Sequence, residues 1–542
     1  MPILPFRELA AKGILKDPSP YQLDLDAWSG GANVRFHSNR VIRAPGFRTL
    51  MAAGVADGGL AFTFAFRTAL NADTVFAVAE NGRTLNVTAS SAADVSPTGF
   101  IPQVGTGLFP AYTGVEQGGV VYLNRPTAVP TCFTAGAAAF VNLPNWDSTW
   151  RCRSLRAFGN YMVALNVTKG VNSFPNMVKW SDLTLQGAAP GSWNSVDPTT
   201  SAGENPLENL TSPIVDGVPL RNSLVIYSTT QTWEMYNADP TLIFGFRLLF
   251  SEGGMIAPNC GVEVEGKHYV FGPTDIYVHD GQSKQSISNR RVRDYVYRTL
   301  NTPLAEACFV AYMPKLDEIL FAYPSGSTDA FFQGVTRCNR GAIYNISGDT
   351  WSFIDLPNVA ALSVGIMHTA GTWASAGAAG LTWANIGGSW FDQGAGQDPL
   401  ILMAAGTVPG RSTPAMLVYD SISSGSASLP LAPLLCAPAY VERLGIDLTQ
   451  VGSDLVTYKM VRRVFPQVTV PASTQMTVQI GGSLTPSGPV AYAAPVPFDP
   501  FVQYKVDVIK GGRYLAIRMT VASMIDFEIA GFDVDVISAG NA

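Results

Sequence analysis

The sequence predicts a mainly β chain: a degenerate β-propeller with a loop-rich insertion and a C-terminal antiparallel β domain. Three observations carry this reading. Short alternating apolar segments recur with Gly or Asn punctuation between them, the signature of hairpins. Helical periodicity is scarce by comparison. The composition, 47% apolar and 14% charged with 52 Gly and 37 Pro among 542 residues, supplies turns and apolar faces but little charge for an independent wetted surface. Single cores stop growing beyond roughly 250 to 300 residues. The pattern divides the chain into an N-terminal arm and lead-in strand (1–50), a propeller-like core (51–365), a Gly/Ala/Trp-rich insertion or irregular blade (366–435) and a β domain (436–542).

The elements follow in order. Residues 74–87 place Asn81-Gly82 between two alternating runs, and residues 154–167 repeat the design around Gly159-Asn160; both dipeptides suit the positive φ of a tight hairpin turn. Residues 260–281 give three short strands punctuated by Gly266, Gly272-Pro273 and Asp280-Gly281, the meander of one blade. Residues 222–236 and 315–324 add strands of similar length. The clearest helical pattern, 289–301, sets Val292, Tyr295, Val296 and Leu300 on one face behind Asn289 as N-cap. Arg290, Arg291, Arg293 and Arg298 occupy its other positions and read as a solvated or intersubunit face, because Asp294 interrupts them. In the insertion Trp373, Trp383 and Trp390 suggest short turns anchored by an indole. After Val441 strict alternation returns in about five strands. In 512–521, Leu515, Ile517, Met519 and Val521 share one face and Tyr514, Ala516, Arg518 and Thr520 the other.

Charge and chemistry narrow the function. Lys and Arg total 35 against 41 acids, a net charge of -6, which disfavours a protein that grips nucleic acid, since phosphate binding scales with the basic groups presented. Six dispersed cysteines, with no C-x-x-C pair, and four histidines, His37, His268, His279 and His368, supply neither a zinc framework nor a metal site. His268 and His279 read as packed or edge histidines. No phosphate-binding loop, nucleophile elbow or H-E-x-x-H motif occurs. Glu204 with Glu208, and Asp317 with Glu318, read as solvated acids. The turn 347–351 faintly matches the Asp-box of sialidase-type propellers without its spacing; there Asp349 would tighten the turn through backbone N–H groups and Trp351 would fill the blade. No catalytic, cofactor or metal residue is assigned. The charged N-terminus contains no export signal, and the uncharged stretch 356–391 is too interrupted to span a membrane.

Three separated stretches form a further pattern. Near the N-terminus it consists of Trp28, Asn33, Val34, Phe36, Arg43, Pro45 and Gly46, with Ser38-Asn39 at the intervening turn. In the middle, an ordered series contains Trp180, Trp233, Gly253, Gly261, Asp280, Gly281, Tyr295 and Asn301. The third stretch contains Arg513, Tyr514 and Gly531. Together these stretches resemble the tail nozzle, or tail tubular protein B, family of short-tailed, podovirus-like bacteriophages, with Ser38-Asn39 where the family has Asp-Gly. Positive φ is expected at Gly46, after Pro45.

The resemblance implies a structural virion protein of the tail, assembled in the host bacterial cytoplasm as a homohexameric ring below the adaptor ring. It would dock tail fibres or spikes and let double-stranded DNA pass without tight binding. The alternatives are a propeller glycosidase or depolymerase acting on surface polysaccharide, and a non-enzymatic glycan-binding propeller.

Overall fold

The computed structural model describes residues 3–7, 10–50, 59–67, 73–88, 92–102, 111–238, 243–366, 399–406, 416–420, 432–433, 437–449, 457–470, 475–523 and 525–541. The chain is mainly β, and its unit is the four-stranded antiparallel sheet whose strands follow in sequence order. The first sheet is Leu60–Arg67, Asp73–Ala79, Thr84–Val87 and Ala92–Asp94, and the second is Thr113–Gln117, Val120–Asn124, Thr131–Thr134 and Val141–Asn142. The third is Trp150–Phe158, Tyr161–Lys169, Asn172–Trp180 and Gly203–Pro206. The fourth is Ile214–Leu220, Ser223–Ser228, Thr232–Asn237 and Phe244–Phe250. The fifth is Gly261–Val264, Lys267–Phe271, Ile276–His279 and Lys284–Ser286. The expected hairpins are there: Phe158 pairs with Tyr161 across a two-residue turn, where Gly159 takes a φ of 57° that other residues adopt only with strain.

An eight-stranded sheet follows, and its order explains how the sheets end. Phe309–Met313, Glu318–Tyr323, Cys338–Asn345 and Thr350–Gly365 run in sequence, then Leu400–Ala405, Met416–Asp420, Gly46–Thr49 and Ala432–Pro433. The sixteen-residue strand Thr350–Gly365 serves two partners. Residues 350–355 pair with Cys338–Asn345, residues 361–365 with Leu400–Ala405, and Val359 with both. Between them Asn358 has a φ of 56°, which turns the strand. The N-terminal strand Gly46–Thr49 lies against Met416–Asp420. Gly46 is therefore extended strand, and the expected positive φ is corrected: the paired neighbour dictates its conformation more than the preceding Pro45 does. Trp373, Trp383 and Trp390 lie outside the described residues.

The two chain ends build a sandwich together. Leu4–Arg7, Val34–His37 and Arg40–Arg43 join Glu528–Asn541, Thr457–Thr469 and Val506–Gly512 in one sheet. Gly30–Ala32 joins Ala439–Ile446, Tyr514–Val521 and Met476–Ser483 in the other. Strands from 1–50 and 436–542, segments that the sequence pattern holds apart, thus share sheets. The alternation in 512–521 matches the structure, with Leu515, Ile517, Met519 and Val521 all in the core. Phe6 stacks on Phe532 at 4.8 Å, and Gly531 lets that strand approach, since a Cβ there would lie 2.5 Å from the Phe6 carbonyl. Arg443 is buried and donates to the carbonyls of Pro20, Leu23 and Leu444, pinning the loop that joins the two sheets' N-terminal strands.

A buried polar joint fixes the sandwich to the eight-stranded sheet. Asn33 donates through Nδ2 to Asp355 Oδ2 and to the Pro438 carbonyl, both at 2.9 Å. The Asp355 N–H donates back to Asn33 Oδ1 at 2.9 Å, and Arg340 Nη1 donates to Asp355 Oδ1 at 2.6 Å. Beside it Arg35 pairs with Glu318 at 2.6 Å, both buried. Glu318 is thus not a solvated acid: it faces the sandwich, and burial raises its pKa against the pull of Arg35.

The helix is Arg293–Thr299, shorter than its pattern. Asn289 does not cap it. The Asp17 carboxylate, 277 residues away in sequence, accepts the N–H groups of Asp294 and Tyr295, where a negative group is favoured. Among the described residues no helix is long and apolar enough to cross a membrane.

Asn33 holds a φ of 60°, so its two roles separate by mutation. Asn33→Ala removes the side-chain bonds and replaces a residue that tolerates left-handed backbone by one that does not, worth up to about 1–2 kcal/mol, while leaving a buried carboxylate short of a donor, worth about 1–3 kcal/mol. Asn33→Gly loses only the bonds. Chemical denaturation is expected to rank wild type above Gly above Ala; equal midpoints for all three would contradict the joint's role.

Candidate functional site

One cavity of about 570 Å3 is shared by every sheet of the body. Residues from the first strands of the five four-stranded sheets, from Phe309–Met313 and from 360–364 all line it. Its walls are mostly small and apolar, and the polar groups on it are engaged by the scaffold. Glu116 accepts the Gly119 N–H at 2.6 Å, Thr63 Oγ1 lies 3.2 Å from Ser363 Oγ, and Tyr312 reaches Asp317 at 3.5 Å. Such a wall can hold or exclude a solute by shape.

Behind this wall a carboxylate ties successive sheets together. Asp216 is fully buried and accepts from Ser154 Oγ, from Arg156 Nε at 2.8 Å, from its neighbour Gly217 N–H and from Asn259 N–H at 2.8 Å. Burial alone would raise its pKa, but the Arg156 guanidinium and these donors outweigh it and hold the carboxyl below its usual range. Arg156 Nη2 also donates to Asn259 Oδ1 at 2.9 Å, and Asn259 Nδ2 to the Tyr112 carbonyl at 2.8 Å. The second, third, fourth and fifth sheets are thereby joined through side chains. Sequence reading missed Asp216, Arg156 and Asn259, because no local pattern marks residues that meet only after the sheets assemble.

His268 and His279 are cross-strand partners in the fifth sheet and are packed, as expected. Their protons follow from their partners. The Gly281 N–H donates to His279 Nδ1 at 3.2 Å, so His279 Nε2–H donates to the Tyr227 oxygen at 2.5 Å. The Tyr227 hydroxyl then donates to His268 Nδ1 at 2.7 Å, and His268 Nε2–H to the Pro219 carbonyl at 2.7 Å. Every polar atom in this chain is satisfied with both rings neutral. Burial pushes His268 down to about 4; burial and the neighbouring imidazole push His279 to about 3. Among the described residues no group of three or more His, Cys, Asp or Glu is placed to hold a metal ion. Cys132, Cys152, Cys260, Cys308 and Cys338 are buried free thiols.

The other acids singled out in the sequence are structural. Glu204 accepts from Lys169 and from the buried Lys179, at 2.7 and 2.8 Å, so it is clamped in the third sheet and not simply solvated. Asp349 does not tighten its own turn: it accepts from the Arg291 guanidinium and the Tyr344 hydroxyl, while Asn345 Oδ1 accepts the Gly348 N–H. Arg291 is accordingly an anchor for that turn. Trp351 is fully buried, as expected.

The residues that carry the family resemblance lie in the scaffold. Trp28 and Phe36 are buried in the sandwich core with Tyr295, which packs edge-on against Phe353 at 5.2 Å. Arg43 donates to the Ser523 carbonyl, and Pro45-Gly46 leads from the sandwich into the eight-stranded sheet. Trp180 and Trp233 fill the seam of the third and fourth sheets, where Trp180 meets Phe244 edge-on at 5.3 Å. The Gly253 carbonyl accepts from Thr232, and Gly261 lines the shared cavity. Asp280 accepts the Gln282 and Ser283 N–H groups across the turn that presents Gly281 to His279. Asn301 starts a short 3-10 turn, and the Arg513 guanidinium lies over the Tyr514 ring.

The depressed histidines give stability a pH dependence. The unfolded chain protonates them near 6.5, the folded chain only near 4 and 3, so the unfolded state binds more protons as the pH falls. Their contribution is complete above pH 6.5 and is lost progressively down to about pH 3. Replacing His279 by Gln is expected to flatten the drop in unfolding free energy between pH 7.5 and pH 5; an unchanged slope would show that the ring is not held neutral.

No family model matches the chain, and no curated protein matches it. Among solved structures, the computationally designed Ika8 protein is similar at 11% sequence identity with a TM-score of 0.36, over 69% of this chain and 99% of that one. A likeness at that level carries no argument about what the chain does.

Proposed function

We propose that the chain is a structural virion protein, the nozzle subunit of a short phage tail, and that its body is a seven-bladed β-propeller fused to a sandwich made by both chain ends. The carrying observation is where the resemblance residues fall. Trp28, Asn33, Phe36 and Gly531 sit in the sandwich and its joint, and Trp180, Trp233 and Gly261 at the seams and inner wall of the sheets. These are the positions that a rigid building unit needs. Seven segments around one cavity support a count of seven blades, in which Thr350–Gly365 would pass from the sixth blade to the seventh and Gly46–Thr49 would lie in the seventh. Radial packing leaves only short sheet edges.

In this reading copies assemble as a homohexameric ring below the adaptor ring, dock fibres or spikes outside and pass double-stranded DNA through the ring's centre. A net charge of -6 suits a wall that lets a polyanion slide. The purified protein, alone and with its adaptor, is expected to give six-fold rings in negative-stain images and to retain DNA only feebly at moderate salt. A persistent monomer, or tight and steeply salt-dependent DNA binding, would contradict the proposal. Release of reducing ends from host capsule, abolished by changing one carboxylate, would favour the hydrolase instead.

A further inference from the structure

A second cavity, of about 320 Å3, lies where the first and second sheets meet the start of the third. Its volume is within the range of small-molecule sites, roughly 300–1000 Å3. The Tyr112 and Phe100 rings form part of its wall, and the exposed side chains of Thr98, Thr127 and Asn142 ring its mouth.

Arg125 and Arg151 line it, and among the described residues neither has a carboxylate partner. Arg125 Nη1 donates to the Tyr112 hydroxyl at 3.4 Å, a long bond, and its Nε is buried with no acceptor. Among the described residues Arg151 donates only to the Ser148 and Trp150 carbonyls. No Asp or Glu is among the described residues that line the cavity, in a chain whose acids outnumber its bases by 41 to 35. The local fold makes room for this charge. Gly82, at a φ of 87° in the hairpin turn, leaves open the space where a Cβ would stand 2.6 Å from Arg125 Nη1. A buried guanidinium N–H without an acceptor is costly, and a carboxylate or phosphate supplies the paired acceptors that its fork matches.

We propose that this cavity binds a single acidic sugar residue, a pyranose carrying a carboxylate or phosphate. Arg125 and Arg151 take the anionic group, the hydroxyl and amide groups at the mouth hydrogen-bond the sugar hydroxyls, and the Phe100 and Tyr112 rings cover its C–H face. The lining belongs to a single chain, so the titration reads this site apart from the nozzle reading.

Isothermal titration of the full chain with D-glucuronate, glucose 6-phosphate, D-glucose and inorganic phosphate tests this. At least one acidic sugar is expected to bind with one site per chain and at least about tenfold more tightly than glucose, as the loss of a charge-assisted hydrogen bond implies. Inorganic phosphate should be weaker than that sugar, and the tighter of the two sugars identifies the anionic group. Arg125→Gln and Arg151→Gln should each weaken binding about tenfold. Thr127→Asp changes an exposed position and should do the same by repulsion with the fold intact. Equal binding of glucose, phosphate alone binding as tightly as either sugar, unchanged affinity in Thr127→Asp, or no heat at millimolar ligand would each overturn the proposal.

Discussion

A buried carboxylate has to be paired, and the pairing of Asp355 sets the relation between the two parts of this molecule. Asp355 lies in the strand that passes from one half of the eight-stranded sheet to the other, and Asn33 meets it from 322 residues away. Asn33 satisfies the carboxylate and the adjacent N–H together, and Arg340 supplies the charge. Arg35 and Glu318 repeat the logic beside it. Removing one partner of a buried pair costs about 3–5 kcal/mol, so the joint tolerates one placement of the sandwich. With that placement set, the chain passes from Arg43 to Gly46 and enters the sheet beside Met416–Asp420.

The same division of labour holds between sheets. Aromatic rings fill the seams: Trp180 against Phe244 at 5.3 Å, Phe76 against Phe133 and Phe140, each at 5.0 Å. Buried polar nodes then fix alignment, Asp216 across four sheets and the chain Gly281, His279, Tyr227, His268, Pro219 between the fourth and fifth. Apolar seams contribute stability without direction; a hydrogen-bonded carboxylate or imidazole specifies register, because a misplaced neighbour leaves it unsatisfied. Several of the chain's few charged groups, Asp216, Glu318, Arg340 and Asp355 among them, are buried as joints.

Much of this was legible in the sequence because it is local. Alternation and Asn-Gly or Gly-Asn turns located the hairpins at 81–82 and 159–160, and the apolar face of 512–521 was read correctly, since both signals span only a few residues. What escaped depends on residues that meet across the fold. Asp17 replaced Asn289 at the helix N-terminus, Glu318 proved buried opposite Arg35, and Asp349 bound Arg291 instead of its own turn. Gly46 was misjudged because its strand partner is more than 370 residues downstream in sequence. The acid-free cavity with Arg125 and Arg151 had no local mark either: two arginines 26 positions apart mean nothing until the sheets bring them to one wall.

The joint can be interrogated directly by amide hydrogen exchange on the whole chain, comparing wild type with Asp355→Asn. If the Asn33, Asp355 and Arg340 contacts hold sandwich and sheets together, protection should fall simultaneously in 30–36, 338–345 and 437–446, while the first three sheets keep theirs. Loss of protection limited to the immediate neighbours of residue 355, with 30–36 and 437–446 unchanged, would mean that the sandwich is positioned by something else and that the joint is incidental.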